Sequence, residues 1–332
     1  MHLVIGAGEF LSDHVAQALA TEVPVIQLPA DADDQSLADA ITDIEVVINC
    51  AETWSPARRL RFRKSTPLLL ERVLAAARRA RVKRIVHVST ADVFGPDHFA
   101  RITEKSRLRP AHAFERLKLY EEQWLLDAAA DTGDVEVVIL RPARVFGNGE
   151  DWMMPRLMAE IMSGHLRLPG GGGASQTFIA AADVGRACLA AGDRGRPGRA
   201  YLAGGFDSTW REMLESASRS IGFSAEIGGF PYDLAYARAF VNHTLAPEGA
   251  LLWPGIYGID VLGKPHQYDD SPARRELTWS PSVGSFEQEM PSMAPWLRRL
   301  PAVAAAVAAA QTVPQTTPQT TPQTTRDDEK RG

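Results

Sequence analysis

Two glycines at the end of the first apolar run are the earliest residues of this chain whose spacing suggests chemistry. Gly6-Ala7-Gly8-Glu9-Phe10-Leu11 follows His2–Ile5 and opens a helical pattern that reaches about Ala20. At such a turn in a nucleotide-binding βαβ unit, glycines let the backbone approach a pyrophosphate seated on the helix N-terminus. A plain strand-to-helix turn is the alternative reading. Metal chemistry leaves no comparable signal. The eight histidines are dispersed without HExxH or HxxxH spacing, so no metal site is expected. Cys50 and Cys188 lie far apart with no CxxC pair, which argues against a disulfide framework and a cysteine metal site.

A phosphate-binding turn needs a sheet behind it, and the composition supports one. The chain has 332 residues, 45% hydrophobic and 23% charged, which fits one large α/β domain or a domain with a smaller partner. A net charge of −5, with basic residues scattered except for Arg58 to Lys64, gives no nucleic-acid footprint. No apolar run approaches the about 18 residues of a membrane helix, and no secretory leader pattern opens the chain. Together with the cysteine usage, this leads to the expectation of a cytoplasmic protein with neither nucleic-acid nor membrane partner.

Strand candidates at His2–Ile5, Pro24–Leu28, Glu45–Asn49, Arg84–Ser89 and Val135–Leu140 alternate with helical stretches. In Leu68 to Ala80, Leu70, Val73, Leu74 and Ala77 recur at i, i+3, i+4 and i+7. The expected class is α/β, a doubly wound parallel sheet over residues 1–150 that is short after its second strand. Residues 151–300 should complete the sheet and form a smaller substrate-binding cap, with Gly170–Gly173 a loop and Thr209–Ile221 a capped helix. Residues 301–332 read as a tail: a short Ala/Val helix at Ala302–Ala310, then PQTT repeats from Pro314 that cannot bury a core.

Five landmarks occur in order: GAGEF at Gly6, VVINCAE at Val46, RVKRIVHVSTADVFG ending at Gly95, a helix carrying Lys118, and LRPARVFGNGE at Leu140. With these, the chain resembles the extended short-chain dehydrogenase/reductase family of NAD(P)-dependent epimerases, dehydratases and hydroxysteroid-type dehydrogenases. The likeness continues through QTFIAAADVGRA and YLAGG to YDDSPARRELTWSP near Tyr268. It implies a Rossmann-like fold, a small-molecule substrate, and NAD or NADP held by Gly6, Gly8, Phe10, Ala51, Lys118 and Pro142. Family members often pair through a helix bundle, which makes Leu117–Ala130 the candidate face of a homodimer.

The departures from the family pattern concern the cofactor first. The family loop GxxGxxG falls on Gly6, Glu9 and Ser12, so two of three glycines are replaced. A Glu9 carboxylate beside a phosphate costs roughly 1 kcal/mol or more at an effective dielectric near 20. A GxG reading uses Gly6 and Gly8 and leaves Leu11 in third place. The family also has a strand ending in a ribose-binding acid, then a helix and a third strand. Here only Pro24–Leu28 precedes the helical stretch Gln35–Ile41. If it is the second strand, the acid's place holds Pro29, with Asp31 the nearest carboxylate; if it is the third, the second is absent. The cofactor is therefore NAD or NADP weakly held, or none.

The family's catalytic Ser/Thr falls on Thr90, and its Tyr-x-x-x-Lys motif on Phe114 and Lys118, so the phenol is missing. Loss of a general acid typically costs about 10²–10⁴ in rate. Tyr120, six residues beyond Phe114, is turned about 240° around the helix and should face away. His112 and Glu115 could serve as a base or lie on the surface. The dehydratases' Asp-Glu pair falls on Ala91 and Asp92, so Asp92 either moves a proton or caps a turn. On the substrate side, Gln176 stands where nucleotide-sugar members carry a diphosphate-binding arginine. Arg144 replaces an asparagine and would bind a carboxylate or pair on the surface. Tyr232, Tyr236, Phe240, Trp253 and Tyr257 suit an apolar ligand or pack the cap. The resemblance thus implies a divergent NAD(P)-dependent epimerase/dehydratase-type oxidoreductase acting on a hydroxyl or carbonyl of a small apolar molecule. A non-redox enzyme, or a non-catalytic binding protein, on the same scaffold is the alternative.

Overall fold

The computed structural model describes residues 1–51, 62–96, 100–245 and 254–312. Trp253, the PQTT repeats from Pro314 and part of the basic run Arg58 to Lys64 lie outside the described residues. The first half alternates β1 (His2–Ile5), α1 (Phe10–Leu19), β2 (Val25–Leu28), α2 (Asp34–Ala40), β3 (Val46–Asn49), α3 (Phe62–Arg79), β4 (Arg84–Val88), α4 (Ala113–Ala130) and β5 (Glu136–Pro142). There follow β6 (Arg144–Phe146), α5 (Met154–Met162), β7 (Arg167–Pro169), β8 (Ser175–Ala180), α6 (Ala181–Arg194), β9 (Ala200–Ala203), β10 (Phe206–Thr209) and α7 (Trp210–Ser220). The chain ends in β11 (Gly228–Phe230), α8 (Tyr232–Leu245), α9 (Ile256–Gly263), α10 (Ser271–Leu277), α11 (Phe286–Leu297) and α12 (Pro301–Thr312).

Six strands form a parallel sheet in the order β2-β1-β3-β4-β5-β9. Its apolar alternation feeds both faces, as a doubly covered parallel sheet requires. Val4, Ile48, Val86, Val88, Val138 and Leu140 pack with α1 and α6, whereas Leu3, Ile5, Val47, Ile85, Val137 and Ile139 pack with α2, α3 and α4. The strand at Val25–Leu28 pairs directly with β1, His2 opposite Val25. It is therefore the second strand, and no third strand lies beyond it in the described sheet. Gly170–Gly172 forms a short 3-10 turn, and Thr209 caps α7 in a reciprocal box with Glu212.

The second half packs around its own core, in which Phe178, Phe286 and Phe206 meet edge to face. β8 is flanked by antiparallel β10 and parallel β6. α12 places Val303 in this core, so the described fold continues to Thr312. No helix among the described residues is long and apolar enough to cross a membrane.

The two halves of the polypeptide are tied where α1 meets α6. Gly185 of α6 would set a Cβ only 2.5 Å from Ala18 Cβ and 3.1 Å from Val15 Cα. We therefore expect Gly185→Val to cost about 1–3 kcal/mol by forcing the helices apart, read as a lower thermal midpoint. An unchanged midpoint would show that the crossing can relax.

Candidate active site

A cleft of about 610 Å³ lies along the carboxyl edge of the sheet, where doubly wound folds bind ligands. Gly8, Glu9, Phe10, Thr90, Asp92, Phe114, Lys118, Pro142 and Arg144 all line it. Gly6 and Ala51, also expected to hold the cofactor, are not among its lining residues. A Cβ on Gly6, at φ +117, would stand 3.1 Å from the Ala51 backbone, so glycine is needed there for close packing.

The loop is closed largely by its own groups. The N–H groups of Gly6 and Ala7 donate to Leu28 O, at 2.8 and 3.1 Å. Ser12, at the family's third glycine, is fully buried and donates to the carbonyls of Gly6 and Glu9. Gly8, at φ +85, leaves open space where a Cβ would stand, yet its N–H donates to Asp13 Oδ1 at 2.9 Å. Two carboxylates, Glu9 and Asp13, thus sit at the mouth of an N-terminus whose dipole would otherwise attract an anion.

Lys118 projects from α4 at 3% exposure, so it is not a solvated surface lysine. Its ammonium lies 3.2 Å from Glu121 Oε2, one turn along the helix. Glu121 also stands 3.5 Å from His87 Nε2, and Asn49 Nδ2 donates to His87 Nδ1 at 3.0 Å. A buried polar chain therefore runs from the end of β3 through β4 to α4 and holds the lysine at the cleft wall. Tyr120 is half exposed on the outer side of the same helix.

Thr90 caps the short 3-10 turn Ala91–Phe94, its Oγ1 accepting from the Asp92 N–H at 3.2 Å. Asp92 does more than shape that turn. Its Oδ2 accepts from Arg144 Nη1 at 3.0 Å and from the Tyr257 hydroxyl at 2.7 Å, all inside the protein. Burial raises the Asp92 carboxyl, but the Arg144 charge and the two hydrogen bonds outweigh it and hold Asp92 below its ordinary value. Arg144 is thus neither a surface pair nor an open carboxylate receptor. Gln176, expected on the substrate side, is sealed beneath the cleft. Its amide N–H groups donate to Val261 O at 2.5 Å and Lys264 O at 3.0 Å, tethering α9.

α9 brings two polar residues on one face, three positions apart. Tyr257 reaches Asp92; Asp260 meets His112 Nε2 at 2.7 Å and also accepts from the Tyr232 hydroxyl. Tyr257 is stacked on Trp152 with ring centroids 5.4 Å apart, and Phe114 lies 5.8 Å from it on another side. Trp152 is itself set by Glu150, whose carboxylate accepts from the N–H groups of Trp152, Met153 and Met154. Sequence reasoning placed Tyr257 only among cap aromatics and missed Asp260, Glu121, His87 and Glu150. The signal for the first pair was present: Tyr257 and Asp260 are polar residues at i, i+3 in the apolar run Ile256–Gly263.

Glu115 is buried at the start of α4, accepting from the Ala111 and His112 N–H groups. Burial and then the nearby Asp92 charge push its carboxyl up to about 7. His266, buried close to Arg144, is pushed down to about 4, so it stays neutral.

The profile of the NAD dependent epimerase/dehydratase family matches residues 3–204. The 4-hydroxy-2-methyl-3-oxo-4-farnesyl-3,4-dihydroquinoline-1-oxide ketoreductase of Stigmatella aurantiaca is 29% identical over 259 residues, covering 75% of this chain and 76% of that protein. The 2-alkyl-3-oxoalkanoate reductase of Stenotrophomonas maltophilia is 26% identical over 292 residues, covering 83% and 85%. The structure of MoeE5 in complex with UDP-glucose and NAD superposes with a TM-score of 0.69 at 21% identity, covering 90% of this chain and 98% of that one, a likeness of fold.

The residues present fit a nicotinamide dinucleotide laid along the carboxyl edge. Open space stands over Gly8, Lys118 and Pro142 line the cleft, and the buried Ser89 hydroxyl that also lines it has no hydrogen-bond partner among the described residues. The fit carries a penalty at the phosphate end. Glu9→Gln should therefore tighten NADH or NADPH binding about fivefold, the effect of about 1 kcal/mol. Energy transfer from tryptophan to the reduced dinucleotide reads it, and an unchanged or weaker affinity would show that Glu9 does not oppose the phosphates.

Glu115 sets a pH dependence of stability. Its folded value lies above the unfolded one, so between the ordinary carboxyl range and pH 7 the folded chain holds a proton that the unfolded chain has lost. Its contribution to stability thus falls as pH rises through that window. Glu115→Gln keeps the cap acceptor without the charge, and should gain about 2–3 kcal/mol relative to the parent between pH 5 and pH 8 in urea unfolding. Parallel stability curves for the two proteins would refute it.

Proposed function

This chain belongs to the NAD dependent epimerase/dehydratase family, and from that premise we propose that it is an NAD(P)H-linked reductase of a ketone on a small, largely apolar molecule. The observation that carries the reading is the aromatic wall of Phe114, Tyr257 and Trp152, set in the cleft that also holds Thr90 and Lys118. Flat apolar walls with a few convergent polar groups suit an apolar ligand. Two relatives are named for reduction of ketones on alkyl or prenyl-bearing compounds. The place of the diphosphate-binding arginine holds Gln176, a neutral side chain committed to α9, which speaks against a nucleotide sugar.

Within this reading each group has a task. When bound, a reduced nicotinamide dinucleotide supplies the hydride. Gly8 and the first turn of α1 would face its phosphates, and Lys118, fixed by Glu121, would hold the ribose beside the nicotinamide. Thr90 accepts through Oγ1 from the Asp92 N–H, which leaves its own hydroxyl proton to orient a substrate oxygen. Phe114 offers ring surface only. The cap helices α8 and α9 close the apolar side through Asp260 and His112, reducing access of water.

The Gly8–Asp13 hydrogen bond and Glu9 favour a second reading, a non-redox isomerisation or elimination on the same scaffold. Direct titration separates the two. The reductase reading expects micromolar binding of NADH or NADPH, and its oxidation by 2-acetylnaphthalene or a medium-chain 3-oxoalkanoate. It also expects Trp152→Ala to weaken the probes about 2–10-fold, the range of an aromatic stack. No dinucleotide binding at millimolar concentration would remove it.

A further inference from the structure

The family's phenol is missing from position 114, so a ketone-reducing reading leaves the proton unaccounted for. The chain has six tyrosines. Tyr120 and Tyr236 lie on the outside, and Tyr201 bonds Arg196 N and Glu276. Tyr232 is committed to Asp260, and Tyr268 is packed in the sheet core against Phe94, buried behind the residues that line the cleft. Tyr257 alone among them lines the cleft.

Its placement is that of a substitute. The Tyr257 ring lies 5.8 Å from Phe114, so a cap helix brings a phenol to the side chain that lacks one. Its hydroxyl is 2.7 Å from Asp92 Oδ2, and the Asp92 N–H is bonded to Thr90 Oγ1. The phenol and the family's threonine are thus two hydrogen bonds apart, across one residue. Stacking on Trp152 fixes the ring and leaves rotation about the Cζ–Oη bond to aim the proton. When the hydroxyl turns from Asp92, Arg144 still balances that carboxylate.

Resting on the reductase reading above, we infer that Tyr257 donates to the substrate carbonyl oxygen and is the proton source of its reduction. The carbonyl carbon gains a C–H bond from the hydride of the reduced nicotinamide, and the C=O π pair moves onto oxygen. That oxygen takes the Tyr257 proton, and water reprotonates the phenolate. Burial, and then the Asp92 charge, hold the Tyr257 phenol well above its ordinary value. It therefore stays protonated, as a donor must, and is a poor base for the reverse oxidation. An alkoxide is a stronger base than a phenolate, so the transfer runs downhill.

The test uses 2-acetylnaphthalene labelled with carbon-13 at the carbonyl, bound to the full chain with and without NADPH. Hydrogen bonding to the oxygen moves the carbonyl resonance downfield, and Tyr257→Phe should reduce that displacement to the share left by Thr90 while keeping the ring stack. The same variant should lose about 10²–10⁴ in kcat/KM, with dinucleotide affinity unchanged. Adding Phe114→Tyr to Tyr257→Phe should recover part of the rate, and Tyr120→Phe should match the parent. A carbonyl resonance that does not depend on Tyr257 overturns the assignment, whether or not NADPH is consumed. If the resonance depends on Tyr257 but no dinucleotide binds, the reductase reading falls and the proton-source role with it, and only the hydrogen bond from Tyr257 to the ligand carbonyl stands.

Discussion

Arg144 carries a charge largely withdrawn from water, and the arrangement of the cleft follows from the need to answer it. A buried guanidinium stripped of its partner costs about 3–5 kcal/mol, so Asp92 must stand within reach and must be ionised. Asp92 belongs to the turn after β4, Arg144 to the start of β6, and Tyr257 to the cap helix α9. One carboxylate therefore binds three segments that the chain separates widely. The turn it sits in is the one that presents Thr90. The helix it holds is the one that brings a phenol to Phe114. A neutral residue at either position of the pair would set loose the positions of both.

Charge is distributed unevenly along the cleft. At the Gly8 end, Glu9 and Asp13 oppose the partial positive charge of the α1 N-terminus, and the loop's own side chains consume part of its hydrogen-bonding capacity. At the other end, Lys118, Arg144 and the Thr90 hydroxyl face aromatic surface. The Thr90 end is the better built of the two. Glu115 adds a carboxyl that is half ionised near neutrality, close enough to Asp92 for the two to feel each other.

The sheet was readable because its physics is local. Alternation in runs such as His2–Ile5 and Arg84–Val88 sends neighbours to opposite faces, and each expected strand stands within a residue or two of its place. Thr90 and Lys118 were named through the family resemblance, and the fold brings both to the cleft. The chain alone left the strand at Val25–Leu28 unassigned between two positions, because only pairing with β1 decides it. Tyr257 was beyond reach for a related reason. Its contact with Asp92 spans 165 residues of sequence, and no periodicity in Ile256–Gly263 states which distant partner that helix will meet. Gln176 misled in the opposite direction: alignment offered it to a ligand, whereas its amide is used to anchor backbone carbonyls of the cap.

Ending the described sheet at β2 has an effect unrelated to catalysis. An outermost strand exposes backbone donors and acceptors onto which a neighbouring molecule can add, the usual beginning of ordered self-association. β2 is only Val25-Ile26-Gln27-Leu28, bracketed by Pro24 and Pro29. Proline has no N–H to offer an incoming chain, so the ladder stops in both directions after four residues. A sheet trimmed by one strand is in this way kept from recruiting a replacement from another copy of itself.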